Sequence, residues 1–167
     1  SPNMNALAEN AMWRLFSIAR ALLFDSGIPI VHWAAAVRHA AYLINRTPRR
    51  IKINPTGDKS ADWIWTTPYQ KVHGRMPSLT HLRIWGCQVF VLAPDPSKAG
   101  KLMPRGTFGY YMGVSKDTRG SLILEPAPGN LEAGKYTVAR NVQFRESVTP
   151  RSLLFGNNDL SLIHISE

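Results

Sequence analysis

The chain has 167 residues, with 20 Lys+Arg against 11 Asp+Glu and a formal net charge of +9. Its 44% apolar fraction excludes wholesale disorder, and its single cysteine, Cys87, excludes an internal disulfide framework or a Cys-rich zinc site. No apolar run reaches the roughly 18 residues of a membrane span, so the positive excess on an ordinary globular composition points to an anionic partner, nucleic acid first and an acidic membrane second. The opening Ser1-Pro2-Asn3 has no initiator Met and no basic-then-apolar leader, the pattern expected of a piece of something longer.

Residues 6–46 have helical spacing. The first helix is expected over about Ala6 to Phe24, with Met12, Leu15, Ile18, Ala19, Leu22 and Leu23 on one apolar face and Asn10, Arg14 and Ser17 opposite. Asp25-Ser26-Gly27-Ile28-Pro29 stops it. The second helix is expected over about Val31 to Asn45, with Trp33, Val37, Ala40 and Ile44 buried and Arg38, His39, Tyr42 and Arg46 on the other face. Thr47-Pro48 ends it, because a residue before proline disfavours the α region. The short turn makes the two helices an antiparallel pair.

A Pro/Gly/Lys-containing stretch, Thr47 to Ser60, leads to the Trp-rich Asp62-Trp63-Ile64-Trp65. Thr67-Pro68 reads as an N-cap with proline at the first helical position, and Gly74 as the stop of a short helix from Tyr69 to His73. Strand-like alternation follows from 82 to 145. Cys87, Val89 and Val91 share a face, as do Phe108, Tyr110, Met112 and Val114, then Leu122 and Leu124. Tyr136, Val138, Val142 and Phe144 lie on one side of a single last strand. Asp117 to Gly120 reads as a hairpin turn, Pro126 to Gly134 as a longer loop, and Gly106, Gly109 and Gly113 as bends of a curled sheet. Four or five short antiparallel strands with one apolar face suggest a small barrel or curled sheet.

Acidic residues are few. Glu9 shares an axial row with Trp13, Phe16 and Arg20 at the border of the two faces of helix one, where a carboxylate could serve a metal-dependent phosphoryl-transfer site or simply be a solvated residue near a helix N-terminus. The five histidines show no metal-ligand spacing, and Cys87 reads as a small buried hydrophobe. The basic residues Arg14, Arg20, Arg38, Arg46, Arg49, Arg50, Lys116 and Arg119 read as contacts to a phosphate backbone, or singly as solubilising charge.

Several segments carry a joint signal. These are Ala8-Glu9, then Ala21-Leu22-Leu23-Phe24-Asp25-Ser26-Gly27-Ile28-Pro29, Trp33-Ala34-Ala35-Ala36-Val37 and Ala41-Tyr42-Leu43-Ile44-Asn45-Arg46-Thr47-Pro48. Thr67-Pro68-Tyr69, Gly74 to Leu79, His81-Leu82-Arg83-Ile84-Trp85-Gly86-Cys87, Gly109-Tyr110-Tyr111-Met112-Gly113 and Arg140-Asn141-Val142-Gln143-Phe144 follow in order. Over roughly residues 5 to 146 this resembles the integrase region of Ty1/copia-type retrotransposon Pol polyproteins.

The resemblance implies an α+β fold: an antiparallel helix pair from the end of an RNase H-like catalytic core (1–48), a connecting segment with a short helix (49–80), an SH3-like antiparallel β-barrel (81–147) and a disordered tail (148–167). It places Glu9 at the glutamate of an Asp, Asp, Glu triad that holds Mg²⁺ or Mn²⁺ in the full-length protein. The segment usually written N-G-V-A-E-R here reads Asn5-Ala6-Leu7-Ala8-Glu9-Asn10, which departs from the family at Ala6 and Asn10. The two aspartates and a zinc-binding part would lie before Ser1, so this piece is expected to bind nucleic acid without catalysing strand transfer or holding a metal itself. The implied partners are DNA, the rest of the polyprotein and further copies of the integrase, in the nucleus or a cytoplasmic virus-like particle. A non-catalytic SH3-like binding module braced by helices, or a decayed element, is the alternative. Helix one without its sheet would leave Met12, Leu15, Leu22 and Leu23 exposed. Leu160 to Glu167 resembles a translated transposase mosaic-end adapter and is set apart from fold reasoning.

Overall fold

The computed structural model describes residues 2–52, 63–92, 106–115, 118 and 120–155. Helix α1 spans Pro2–Ser26, and Gly27 N–H closes it by donating to Leu23 O at 3.1 Å. A single 3₁₀ turn, Ile30–His32, then leads into α2, Trp33–Arg46, which folds back against α1. The strands are β1 (Arg49–Lys52), β2 (Trp63–Thr66), β3 (Gln88–Leu92), β4 (Gly106–Val114), β5 (Ser121–Ala127), β6 (Asn130–Ala139) and β7 (Val142–Arg145), with α3 (Pro68–His73) after β2 and α4 (Pro150–Phe155) after β7.

β1 and β2 form a separate antiparallel hairpin, and the other five strands a sheet in the order β6-β5-β4-β3-β7. That order forces the sheet to curl. The chain passes from Ala139 at one edge to Val142 at the other, a reach of at most about 11 Å. A flat sheet would hold edges four spacings apart, about 19 Å. Rolling the sheet brings the edges within reach, and Leu92 N–H donates to Asn141 O at 3.2 Å beside the crossing. The single last strand expected over 136–144 is thus two strands broken at Arg140-Asn141.

The curled sheet buries both faces of β4. Inside the curl, Cys87, Val89, Tyr111 and Ile123 pack with Val142 and Phe144. On the outer face Tyr110, Met112 and Leu124 meet Ala19, Ile28, Ala35, Ala36, Ala40 and Trp85 in a core shared with the helices. The register pairs Tyr110 with Leu124 and Tyr111 with Ile123, so the alternation of each strand feeds the two clusters.

The helix pair is therefore not stranded. Leu15, Leu22 and Leu23 pack against the shared core, and only Met12 of the expected stripe stays half exposed. α2 presents a different stripe from the one its bulky residues imply: Ala35, Ala36, His39 and Ala40 are buried while Trp33 is exposed. Small side chains let the helix approach the backbone of β4, and a tryptophan would hold it off. The nearest approach is at Gly113, where φ is +116° and a Cβ would come within 2.8 Å of His39 Nδ1. The strand register shifts at that point, as a bulge demands.

Two further expectations are corrected. Pro126 to Gly134 is not a long loop but a hairpin turning at Pro128-Gly129, with Pro126 inside β5 beside the register shift. The tail expected to be disordered from 148 contains α4. Its N-terminus is closed by reciprocal bonds, Ser152 N–H to Thr149 Oγ1 at 3.2 Å and Thr149 N–H to Ser152 Oγ at 2.9 Å. Arg151 anchors it on α1 by donating to Phe24 O at 2.9 Å. Leu160 to Glu167 lies outside the described residues.

Candidate nucleic-acid interface

The end of α2, the β1–β2 hairpin and α3 form one cationic and aromatic cluster. Thr47 closes α2, its N–H and its hydroxyl both donating to Leu43 O at 2.9 Å. Pro48 then turns the chain into β1. After β2, Thr67 Oγ1 accepts from Gln70 N–H at 3.0 Å, capping α3. Buried Thr66 donates from Oγ1 to Gln70 Oε1 at 3.2 Å, tying the base of the hairpin to that helix.

Within this frame the arginines differ. Arg46 is packed: its guanidinium lies 3.4 Å from the Tyr42 ring centre and 4.8 Å from that of Tyr69. Both rings offer their negative faces, which holds the cation in place of a carboxylate. The Tyr42 hydroxyl bonds His81 Nε2. Partial burial, then the cations Arg46 and Arg83, lower the His81 pKa. A shallow pocket of ≈ 330 Å³ opens beside this stack, between Asn45, Arg46, Pro68, Tyr69, Val72 and His73. Arg49 and Arg50 are exposed on β1.

The hairpin register sorts its side chains. Arg50 pairs with Trp65 and Lys52 with Trp63 on one face, while Arg49 with Thr66 and Ile51 with Ile64 share the other. Arg50 reaches diagonally to lie 4.8 Å over the Trp63 ring. Trp63 is 46% exposed and Trp65 72%.

The remaining basic residues are spread out. Arg14 and Arg20 are exposed on α1 and make no ion pair among the described residues. Arg38, on α2, borders a separate hollow with Ala34, Ala35, Leu122 and Tyr136. Lys116 and Arg119 lie outside the described residues. Glu9 is exposed on α1, and no group of three or more His, Cys, Asp or Glu among the described residues could hold a metal ion. One carboxylate does not make a two-metal site, so these residues alone do not fit a catalytic metal pair.

Two histidines and the cysteine have packing roles. His32 Nε2 faces Leu131 O at 2.9 Å and must donate to it, while its Nδ1 bonds the Tyr136 hydroxyl at 2.8 Å, joining the 3₁₀ turn to β6. His39 is enclosed by α2 and β4, edge-on to Tyr111, and burial with nearby Arg38 lowers its pKa to about 4. Burial pushes the Cys87 thiol up to about 12, far from a thiolate nucleophile.

Sequence reasoning found Arg46, Arg49 and Arg50 but not their aromatic partners Tyr42, Tyr69, Trp63 and Trp65. The signal was present as period two: Arg50 and Lys52 alternate in one short run, and Trp63 and Trp65 in the next.

Residues 87–154 match the family model of the retroviral polymerase SH3-like domain. This is the segment that forms the curled sheet and α4. Over 152 residues the chain is 26% identical to the "Retrovirus-related Pol polyprotein from transposon RE2" of Arabidopsis thaliana, covering 91% of this chain and 9% of that protein. It is likewise 26% identical over 147 residues to the "Retrovirus-related Pol polyprotein from transposon TNT 1-94" of Nicotiana tabacum, covering 88% and 10%. The chain is similar to Ty1/copia-type Pol polyproteins, in the direction its motifs imply, and spans about a tenth of the length of these relatives. No solved structure matches it.

Proposed function

We propose that this chain is the end of a retrotransposon integrase catalytic core joined to its SH3-like domain, and that it binds nucleic acid without catalysing strand transfer by itself. The observation that carries the reading is the exposed cationic and aromatic hairpin, rooted between the packed Arg46 stack and capped α3, on a chain with net charge +9. Arg49 and Arg50, with Arg14, Arg20 and Arg38, supply phosphate contacts that carry no sequence preference. In the full-length protein Glu9 contributes one carboxylate to a Mg²⁺ or Mn²⁺ site completed by aspartates from outside this chain. Its exposure on α1 leaves it open to that approach. The rest of the polyprotein and further integrase copies are its partners, in the nucleus or a virus-like particle.

Anisotropy of a labelled 20-base-pair duplex tests the binding. Affinity is expected to fall linearly in log[salt]. In the double variant Arg49→Gln/Arg50→Gln the slope is expected to become shallower by about 1–2. Salt-independent binding, or none, overturns the reading. A strand-transfer assay with Mg²⁺ or Mn²⁺ is expected to show no product from the isolated chain, and activity above a Glu9→Gln control overturns that part.

The shared core favours a second reading, a non-catalytic module in which the helices brace the sheet. The upstream reading frame separates the two: aspartates on strand-like segments belong to the first reading only.

A further inference from the structure

We propose that the Arg50, Trp63 and Trp65 face of the β1–β2 hairpin is a stacking platform for unpaired nucleotides, DNA or RNA. The inference rests on the nucleic-acid reading above and specifies the form of strand that this face takes.

Three observations carry it. The first is the exposure of the indoles. Trp65 is 72% exposed, although tryptophan is the side chain with the most to gain from burial; Trp13 and Trp33 on the helices are also exposed, at 73% and 54%, but only Trp65 has a second indole on the same face of its strand. The fold does not use the Trp65 ring, so a folding role does not account for it. The second is register. Trp63 and Trp65 stand two residues apart on one face of β2, with Cα atoms about 6.6 Å apart. The third is charge. Trp65 is paired with Arg50, which also lies over Trp63, and the described residues of the hairpin carry cations and no acid.

Cations alone would serve duplex phosphates. Indoles add nothing there, because the base faces of a duplex are covered by their neighbours. An unpaired strand offers both parts, a phosphate for Arg50 and a base face for each ring, and such stacking is tolerant of sequence. A protein partner with an acidic segment would satisfy the cations but would not call for two aromatic planes at strand spacing.

The test is anisotropy of the full chain with labelled (dT)₂₀, the matching 20-base-pair duplex and a labelled poly-Glu peptide. The single strand is expected to bind more tightly than the duplex. Trp65→Ala is expected to weaken (dT)₂₀ by about tenfold or more and the duplex by less than about twofold, with Trp65→Phe recovering most of the loss. Unchanged near-ultraviolet circular dichroism outside the indole band, with cooperative unfolding, confirms that each variant is folded. Equal losses on single strand and duplex, or no loss on either, overturn the stacking proposal while the nucleic-acid reading stands. Preference for poly-Glu with the same Trp65 dependence overturns it in favour of a protein partner. Failure to bind any nucleic acid sinks the underlying reading as well.

Discussion

Where the helix pair meets the sheet, small residues let the elements approach: Ala35, Ala36 and Ala40 on α2, Gly113 on β4, and Ser26 against Gly86. The β1–β2 hairpin is made of some of the largest, with two indoles and two arginines turned outward. In the first region the elements approach so closely that a Cβ added at Gly86 or Gly113 would meet the buried side chain of Ser26 or His39. In the second, Thr66, Thr67 and Gln70 hold the base of the hairpin while the Trp65 ring stays 72% exposed. The contrast separates residues that specify the fold from residues for which the fold has no use. Substitutions should therefore diverge sharply between the two.

The largest effect is expected at Gly86. Its φ is +79°, and a Cβ would come within 2.4 Å of Ser26 Cβ and 3.3 Å of Ile28 Cγ1. Ser26 has no room to yield, since it is fully buried and its Oγ already donates to Leu23 O and accepts from Ile28 N–H. Gly86→Ala adds backbone strain of about 1–2 kcal/mol to an overpacking cost of about 1–3 kcal/mol. Urea denaturation at neutral pH is expected to show a loss of about 2–5 kcal/mol. A loss below about 0.5 kcal/mol would mean that the loop before β3 can slide over α1, and the close-packed description would fail.

Next comes His39, buried in the same contact between Tyr42 and Tyr111. Its pKa falls from 6.5 to about 4, from burial first and the Arg38 charge second. The folded state thus resists a proton that the unfolded chain accepts. The sign follows: the contribution to stability is complete above about pH 6.5 and is lost as pH falls toward 4, below which both states are protonated. The size is about 2–3 kcal/mol between pH 7 and pH 4. Thermal or urea unfolding across that range is expected to show it in the native chain and not in His39→Gln. Parallel profiles for the two would place the acid sensitivity elsewhere.

This difference between regions also decides what the sequence makes legible. Elements set by local chemistry were readable: Thr67-Pro68 opens α3 and Gly74 closes it because cap and proline act within one turn. The alternation of Tyr110, Met112, Leu122 and Leu124 marked the face that the helices cover. What failed depended on distant partners. By sequence, the bulk of Trp33 puts His39 on the open side of α2 and leaves Ala35 and Ala36 out of the buried stripe; only the close approach of β4 makes small residues the better choice. The break at Arg140-Asn141 follows from curling of the whole sheet, which no window of alternation contains. In the candidate site the arginines stood out by charge. Their pairing with Trp63 and Trp65 needed the register between two four-residue strands separated by the segment 53–62.

The smallest effect is expected at Trp65, and it completes the contrast. Removing a large buried aromatic costs about 3–5 kcal/mol. Trp65 is 72% exposed, its cross-strand partner Arg50 has a second ring in Trp63, and the base of the hairpin is held by Thr66 rather than by either indole. Trp65→Ala is therefore expected to change unfolding free energy by no more than about 0.5 kcal/mol, against the several kcal/mol expected from the much smaller change at Gly86. Where the two variants share the native m-value, the comparison reduces to their shifts in urea midpoint. If Trp65→Ala proves as costly as Gly86→Ala, the ring supports the fold and its exposure has no bearing on a ligand. If it is neutral, the ring is free of a folding role, and the single-strand binding of the same variant decides what it serves.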